Sequence, residues 1–301
     1  MLSSSIPFGT LAQSQRDRLA HVELSVRFLG SVSRAQLMSR FGITSATATR
    51  DLSTYKRRAV HNLEYVPKHK HYVRQEHRWF RPLFEVSAQR VLLWLTEGVG
   101  DVEPASLRGV MPHPVIPQTQ QIDLEVLSVI TRSIHQRRAF DAAYLGRSSG
   151  HSRRHVAPHA LVEGGGRWYL RGFDRSSQQF RDFSLIGFQS AQLLEGILAD
   201  DEAPDQDAEW HRIVNLELVL HPVNVQHPEA IRAEYAMDGE VLRISARAAV
   251  VRYLLRRWSV DCSEDHGLRG PEFALWLRNR RVLYGIANLS LAPGYANRGP
   301  V

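Results

Sequence analysis

The chain has 301 residues, more than one hydrophobic core usually supports, so we expect two or three domains. Hydrophobic residues make up 43% and charged residues 23% of the sequence, and no run approaches the roughly 18 consecutive apolar residues of a membrane span. This composition is typical of a globular protein and excludes a membrane-spanning one. The start of the chain, MLSSSIPFGTLAQSQ, lacks the pattern of a secretory signal, which predicts a cytoplasmic location.

The positive charge is concentrated at the N-terminal end. Residues 1–81 hold 14 Lys and Arg against 5 Asp and Glu, whereas the rest of the chain holds 24 against 26, and the net charge of the whole is +7. A basic segment joined to a nearly neutral remainder is typical of a nucleic-acid-binding domain tethered to another module. We therefore predict that residues 1–81 bind DNA.

Helix signals in this basic segment follow a recognisable order. Apolar residues recur at helical spacing over residues 14–30. Ser33 is placed to cap a short second helix, Gly42 supplies a tight turn, and Thr44 is placed to cap a third helix that extends to about Arg58. Helix, glycine turn and helix together predict a helix-turn-helix.

Two short β-prone runs, residues 63–66 and 71–74, follow the third helix and flank the basic sequence PKHK. They predict a hairpin with a basic tip, so residues 1–81 are expected to form a winged helix-turn-helix. The alternative is a generic three-helix module whose basic face is only solvated.

The third helix has one apolar face, which consists of Ala48, Leu52, Tyr55 and Ala59. On the opposite face we predict a base contact from Arg50, because Arg recognises guanine through two hydrogen bonds. Hydroxyl and basic side chains around it, and the lysines of the wing tip, are expected to contact phosphates or bases. These are Ser45, Thr47, Ser53, Lys56, Arg57, Lys68 and Lys70.

Residues 82–121 are expected to form a helical linker. The pattern predicts an amphipathic helix over residues 82–98, and the remainder is a connector rich in proline: Pro104, Pro112, Pro114 and Pro117. A helix over residues 122–136 and a series of strands then predict a separate domain at residues 122–199.

The C-terminal third begins with residues 200–210, where six acidic residues and a proline favour a solvated linker. Residues 211–301 contain two strand patterns, VNLELVLHP and VLRISARA, and a helix over about residues 248–258. This composition predicts a small α+β module, and the overall fold class is α+β with several domains.

The most specific signal lies in residues 155–188. The segment GGRWYLRGFD places Trp168, Tyr169 and Leu170 on one strand, with Pro158–Leu161 before it and Arg181–Phe183 after it. This arrangement resembles the WYL domain of bacterial transcriptional regulators, which implies a small Sm-like β-barrel with a ligand-sensing role. The order of winged helix, WYL domain and C-terminal extension resembles most closely the BrxR/CapW group, regulators encoded beside phage-defence systems such as BREX and CBASS. One departure is that Gly187 and Phe188 stand where the family often has a basic residue.

The resemblance implies a nucleotide or nucleic-acid effector in the WYL domain. Hydroxyls, guanidinium groups and an imidazole in this region form a donor-rich set suited to phosphate or carboxylate. The candidate ligand residues are Tyr144, Ser148, Ser149, Arg153, Arg154, His159, Trp168, Tyr169 and Arg181. The alternative is that Trp168 and Leu170 are core residues of the barrel and that the arginines are solvated.

No residue pattern indicates a catalytic or metal site. His151, His155 and His159 are four residues apart, but Pro158 and the strand pattern argue against the helix that would align them. A single cysteine, Cys262, builds neither an internal disulfide nor a cysteine-based zinc site. We therefore predict no cofactor, no metal and no enzymatic activity.

The leading hypothesis is a homodimeric regulator, in which a WCX-like C-terminal module pairs two chains, with the helix near residues 82–98 contributing, and the winged helices bind an inverted repeat in double-stranded DNA. The resemblance implies a repressor that is released by its effector. The alternatives are an accessory subunit of a DNA-processing or defence complex and a structural protein that bridges DNA without sequence preference.

Overall fold

The computed structural model describes residues 11–97 and 121–295. They form two compact units. The first contains the described residues up to Pro158 together with Leu185–Ile197, and the second contains His159–Ser184 together with the described residues from Leu198 onwards. None of the described helices is long and apolar enough to cross a membrane.

The first unit opens with the predicted helix-turn-helix. Its helices are α1 (Gln13–Leu24), α2 (Arg34–Phe41) and α3 (Ser45–Arg58). Ser33 and Gln36 form a reciprocal capping box, and the Thr44 side chain accepts a hydrogen bond from the Thr47 amide. Gly42 adopts a left-handed conformation with φ of 62° between the two helices. The predicted caps and turn are confirmed.

Helix α1 continues beyond residue 24 as a π-helical turn over Ser25–Leu29, which ends at the left-handed Gly30. Three short strands complete the winged helix: β1 (Ser31–Ser33), β2 (Leu63–Val66) and β3 (His71–Arg74). They pair antiparallel in the order β1-β3-β2, and β2 and β3 have the bounds that the sequence predicts. The core below them includes Val22, Leu37, Leu52 and Tyr55.

Helix α4 (Ala88–Glu97) begins six residues later than the predicted start at residue 82. The reason is that the amides of Leu83 and Phe84 donate to the buried carboxylate of Glu23 instead of entering a helix. The predicted proline-rich connector lies outside the described residues.

Helix α5 (Leu124–Gln136) follows, capped by the Asp123 carboxylate. The next five strands are β4 (Phe140–Gly146), β5 (Gly150–Glu163), β6 (Trp168–Asp174), β7 (Gln179–Ser184) and β8 (Phe188–Leu193). They form one sheet in the order β7-β6-β5-β4-β8, a meander whose last strand returns beside its first. In the described residues, strand pairing does not close this sheet into the barrel that the resemblance implies.

The acidic segment at residues 200–210 is packed, which corrects the expectation of a solvated linker. It forms short helical turns and α6 (Ala208–His211). Glu202 and Asp207 are buried because each carboxylate binds an arginine: Glu202 pairs with Arg175 and Asp207 with Arg171.

The C-terminal module contains β9 (Ile213–Leu220), α7 (Pro228–Glu234), β10 (Leu242–Arg247), α8 (Ala248–Arg257) and β11 (Leu275–Leu277). Its strands pair antiparallel in the order β10-β9-β11. Alternate residues of β9, Val214, Leu216 and Leu218, pack against α8 residues such as Val251 in one hydrophobic core. The predicted strands and helix are confirmed.

Candidate nucleic-acid interface

Helix α3 separates an apolar face from a basic one. Ala48, Leu52 and Tyr55 are fully buried, and Ala59 is nearly so, whereas the opposite face is exposed. That exposed face contains Ala46, Arg50, Ser53 and Arg57, with Ser45 and Lys56 also exposed. Thr47 is half-buried, and its hydroxyl lies 3.0 Å from the Thr44 hydroxyl. The predicted division of the helix into two faces is confirmed, and it leaves the candidate DNA-contacting side chains accessible.

The one acidic residue of α3 points away from that face. Asp51 is 1% exposed, and its carboxylate accepts hydrogen bonds from Gln15 at 2.9 Å and Arg18 at 2.6 Å, both on α1. Among the described residues, no ion pair neutralises Arg50 or Lys56. The Asp51 carboxylate therefore holds α1 against α3 through these hydrogen bonds, and the basic face keeps its positive potential.

The wing presents its lysines at the tip. Lys68 and Lys70 are exposed, in a short 3-10 turn that Lys70 ends in a left-handed conformation with φ of 54°. Behind the tip, the Tyr65 and Tyr72 rings lie 4.9 Å apart on paired strands, which stiffens the hairpin. The paired strands β2 and β3 therefore fix the position of the turn that contains the two lysines.

A buried carboxylate, which the sequence did not single out, joins α3 to the exit of the winged helix. Glu23 accepts a hydrogen bond from the Tyr55 hydroxyl at 3.0 Å and from the backbone amides of Leu83 and Phe84. Asn62 in turn donates to the Tyr55 hydroxyl at 2.9 Å. Burial outweighs these hydrogen bonds and raises the pKa of Glu23 to about 7.

Five of the nine candidate ligand residues lie in the first unit. Tyr144 is on β4, Ser148 and Ser149 are in the exposed turn before β5, and Arg153 and Arg154 are on β5. Arg153 forms a bidentate pair with Asp141, and hydrogen bonding to this guanidinium lowers the pKa of the carboxyl group. A Cβ at Gly187, where the family often has a basic residue, would lie 2.5 Å from the Tyr144 ring, so this ring occupies the space beside the glycine.

The other four candidates lie in the second unit, and two of them are engaged in packing. The His159 side chain is buried, with Nε2 2.9 Å from Asp207, and the Tyr169 ring lies 4.5 Å from the ring of Tyr253. Trp168 is half-buried, and Arg181 is half-exposed with a guanidinium nitrogen 3.7 Å from Asp174. Leu170 is fully buried, as the core alternative predicts. We therefore assign His159 to the interior of this unit instead of a ligand-facing surface.

A buried cluster of charges in the second unit was missed by sequence reasoning. Arg171 binds both oxygens of Asp207 at 2.8 Å and donates to Asp182 at 3.1 Å. Arg252 also pairs with Asp182, which accepts a hydrogen bond from the Tyr253 hydroxyl at 2.7 Å. The only sequence signals are an arginine directly after the WYL motif and another inside the apolar run of α8.

Within this cluster, the pKa of the Asp207 carboxyl group is lowered and the pKa of the Tyr253 hydroxyl is raised. Burial opposes ionisation of Asp207, but hydrogen bonds from Arg171 and His159 outweigh it and lower the pKa of the carboxyl group. Burial and the neighbouring Asp182 raise the pKa of the Tyr253 hydroxyl. Asp207 is therefore a charged, fully paired carboxylate.

The three histidines four residues apart do not converge. His151 and His155 are exposed on β5, with His155 Nε2 3.1 Å from Asp141, whereas His159 is buried against Asp207. Within the described parts of the chain, no group of three His, Cys, Asp or Glu side chains is arranged to hold a metal ion.

Comparison with protein families gives three separate matches in succession along the chain. Residues 14–97 match the BrxR transcriptional regulator winged helix-turn-helix domain, residues 125–193 match the WYL domain, and residues 213–283 match the BrxR C-terminal dimerization domain. Together they span most of the chain in the predicted order.

Known proteins that are similar over most of this chain include two curated relatives and one solved structure. The DNA-binding transcriptional repressor CapW of Escherichia coli (strain KTE188) is 29% identical over 281 residues, which are 90% of this chain and 91% of the relative. The CapW repressor of Pseudomonas aeruginosa is 28% identical over 274 residues, 88% of this chain and 89% of the relative. The solved structure of Proteasome accessory factor B/C of Arthrobacter aurescens is 17% identical, covers 81% of this chain and 43% of its own, and has a TM-score of 0.27.

Proposed function

Because the chain belongs to the BrxR/CapW group of WYL-domain transcriptional regulators, we propose that it is a homodimeric repressor that binds an inverted-repeat operator. The observation that carries this proposal is the exposed basic face of α3 in a winged helix-turn-helix. The relatives named as DNA-binding transcriptional repressors support the regulatory role. We further propose that the protein is not an enzyme and that it acts in the cytoplasm. The regulated operon is proposed, from the family resemblance alone, to encode a phage-defence system.

In this function α3 enters the major groove and the wing follows the backbone beside it. Arg50 donates two hydrogen bonds to a guanine, which gives sequence preference. Ser45, Thr47, Ser53, Lys56, Arg57, Lys68 and Lys70 contact phosphates or flanking bases and fix the register of the helix. The inward orientation of Asp51 removes the one carboxylate of α3 that would repel the phosphate backbone.

Pairing of two chains is assigned to the C-terminal module. Its match to a dimerization domain covers residues 213–283. Ile213 and Tyr284, at its two edges, are 53% and 55% exposed, a degree of apolar exposure that an interface would relieve. A two-fold symmetric pair presents two copies of α3 to two half-sites, which accounts for an inverted repeat.

Five segments divide these roles. We propose a DNA-binding domain at residues 1–81, a linker at 82–121, a sensor at 122–199, an acidic connection at 200–210 and a dimerisation domain at 211–301. The acidic connection is proposed to be packed and not solvated, because Glu202 pairs with Arg175 and Asp207 with Arg171.

The effector is proposed to be a nucleotide or oligonucleotide. Arg153, Arg154 and Arg181 are the guanidinium groups on the sensor strands that suit phosphate, with Tyr144, Ser148, Ser149, Trp168 and Tyr169 as further candidates. An effector releases the operator only if it binds the DNA-free protein more tightly than the DNA-bound protein.

The dimeric proposal is tested by the mass of the protein–DNA complex. Purified protein is mixed with a DNA that carries an inverted repeat from upstream of its own gene and, separately, with a DNA of equal length that carries only one half-site. The molecular mass of each complex is measured by light scattering. We expect two chains on the full repeat and much weaker binding to the half-site. One chain per repeat, or equal affinity for both DNAs, would overturn the proposal.

The effector proposal is tested by adding ATP, cyclic dinucleotides or short oligonucleotides to the preformed complex. We expect at least one of them to release the operator from the wild type. Arg181→Ala should retain operator affinity and lose this release, while Arg256→Ala, an exposed arginine of α8 in the same unit and outside the sensor strands, should keep both. No release by any probe would leave the DNA-binding proposal standing and overturn the effector class.

A further inference from the structure

Helix α5, which the family match assigns to the WYL domain, is bound directly to the winged helix. The Ser128 hydroxyl donates to the Arg27 carbonyl at 2.9 Å, and the Thr131 hydroxyl donates to the Phe28 carbonyl at 2.8 Å. The partners in these two hydrogen bonds are 101 and 103 residues apart along the chain. Ser128 is fully buried and Thr131 is 4% exposed, so water does not compete for either bond.

The acceptors are the carbonyl groups that the helix itself leaves unpaired. Arg27 and Phe28 lie in the π-helical turn Ser25–Leu29, and the carbonyls of a last helical turn have no partner within the helix. A buried carbonyl without a donor is costly, so the two hydroxyls of α5 complete the end of this turn. Gly30 ends the turn where a Cβ would lie 2.3 Å from the Gln136 side chain of α5.

Charged groups surround the hydroxyls on both sides of this junction. Arg27 donates to Glu125 of α5 at 2.7 Å, and Arg132 of α5 pairs with Glu76 just after the wing. Arg74, the last residue of β3, donates to the Ser128 hydroxyl at 3.1 Å and to the Arg27 carbonyl at 3.3 Å. The π-helical turn and the base of the wing are therefore held by the same short stretch of α5.

We propose that Ser128 and Thr131 are positioning residues for operator binding. They act through the π-helical turn and Arg74, fixing the wing strands and the entry to the helix-turn-helix in the orientation in which α3 binds DNA. The first helix of the WYL domain thereby becomes part of the DNA-binding apparatus, and any change in α5 reaches α3 through these contacts. This inference rests on the proposed function.

The test compares two disruptive variants with one matched control. Ser128→Ala removes one hydroxyl that crosses the junction, and Thr131→Val removes the other while keeping the side-chain shape. Ser133→Ala is the control, because the Ser133 hydroxyl is equally buried on α5 but donates to the Arg138 carbonyl, on the sensor side of the junction. The full-length variants are compared by operator affinity of the folded protein and by hydrogen exchange of residues 25–31.

We expect Ser128→Ala and Thr131→Val each to weaken operator binding about fivefold, the effect of one buried hydrogen bond, and to speed exchange in the π-helical turn. Ser133→Ala should bind like the wild type and leave that exchange unchanged. If all four proteins bind the operator equally, the positioning role is overturned and the repressor function stands. If none of them, the wild type included, prefers the operator over other DNA, the proposed function fails and this inference falls with it.

Discussion

Arginine has opposite surroundings on α3 of the first compact unit and in the buried charge cluster of the second. On α3 of the first unit, Arg50 and Arg57 are exposed on a face without a paired carboxylate among the described residues, whereas Arg171 and Arg252 of the second unit are each 2% exposed and enclosed by Asp182 and Asp207. Burying a guanidinium is costly unless carboxylates compensate it. Compensated arginines therefore hold the second unit together, and uncompensated ones remain available for phosphate and bases.

The largest expected effect is a loss of stability when a buried, carboxylate-paired arginine is removed. Arg171→Ala leaves the buried Asp207 without its bidentate partner, and we expect it to lower the free energy of unfolding by about 3 to 5 kcal/mol. Arg278→Ala is the control, because its pair with Glu217 is partly exposed and should matter little. Thermal melting followed by circular dichroism measures both, and equal melting temperatures for the two variants would show that the buried cluster is not a stabilising element.

The next largest effect is a pH dependence of stability that comes from Glu23, a buried carboxylate of the first unit that belongs to neither arginine group. The pKa of Glu23 is raised from 4.5 to about 7, so the folded protein binds this proton more tightly than the unfolded chain. The resulting stabilisation is complete below about pH 4.5 and is lost as the pH rises through about 7. Over this window we expect the unfolding free energy of the wild type to fall by up to about 3 kcal/mol relative to Glu23→Gln.

Denaturant unfolding of the two proteins at a series of pH values measures this difference. Parallel stability curves for the wild type and Glu23→Gln would contradict the raised pKa. Glu64→Gln, an exposed carboxylate of β2, should follow the wild type throughout.

A smaller effect, on DNA binding and not on stability, is expected when an exposed arginine of α3 is removed. Arg50→Ala should weaken operator binding by about 1 to 3 kcal/mol and leave the melting temperature unchanged, because the side chain is exposed and is proposed to recognise a base. Arg57→Ala should weaken binding to operator and scrambled DNA alike, as expected for a phosphate contact. A retained preference for the operator in Arg50→Ala would show that another residue of α3 makes the specific contact.

The smallest effect is expected at the wing tip. Lys68→Ala and Lys70→Ala should each reduce the slope of log affinity against log salt concentration by about one, because each lysine releases about one counterion. The measurement is a salt titration of operator binding for the wild type and each variant. An unchanged slope would place the lysines away from the DNA backbone.

The elements of the winged helix were predictable because their signals are local. The caps Ser33 and Thr44, the turn residue Gly42 and the basic hairpin tip each act over a few residues. The exposed face of α3 followed from helical periodicity alone.

The buried carboxylates could not be predicted in the same way. Asp207 meets Arg171 across 36 residues, and Glu23 meets Leu83 across 60. An acidic segment therefore appeared solvated until its distant partners were known, and helix α4 appeared to begin at residue 82. For the same reason the sequence placed His159 among ligand residues, although Asp207 holds it in the interior.

The central claim is that the exposed arginines of α3 bind a specific DNA sequence. The most direct test of it is DNA binding by the wild-type protein. Purified protein is titrated against the DNA upstream of its own gene and against a scrambled sequence of equal length, both at one physiological salt concentration. We expect tight, salt-sensitive binding to the upstream DNA and far weaker binding to the scrambled one. Equal affinity for the two would show that the exposed basic face is a nonspecific grip on nucleic acid and would contradict a sequence-specific repressor.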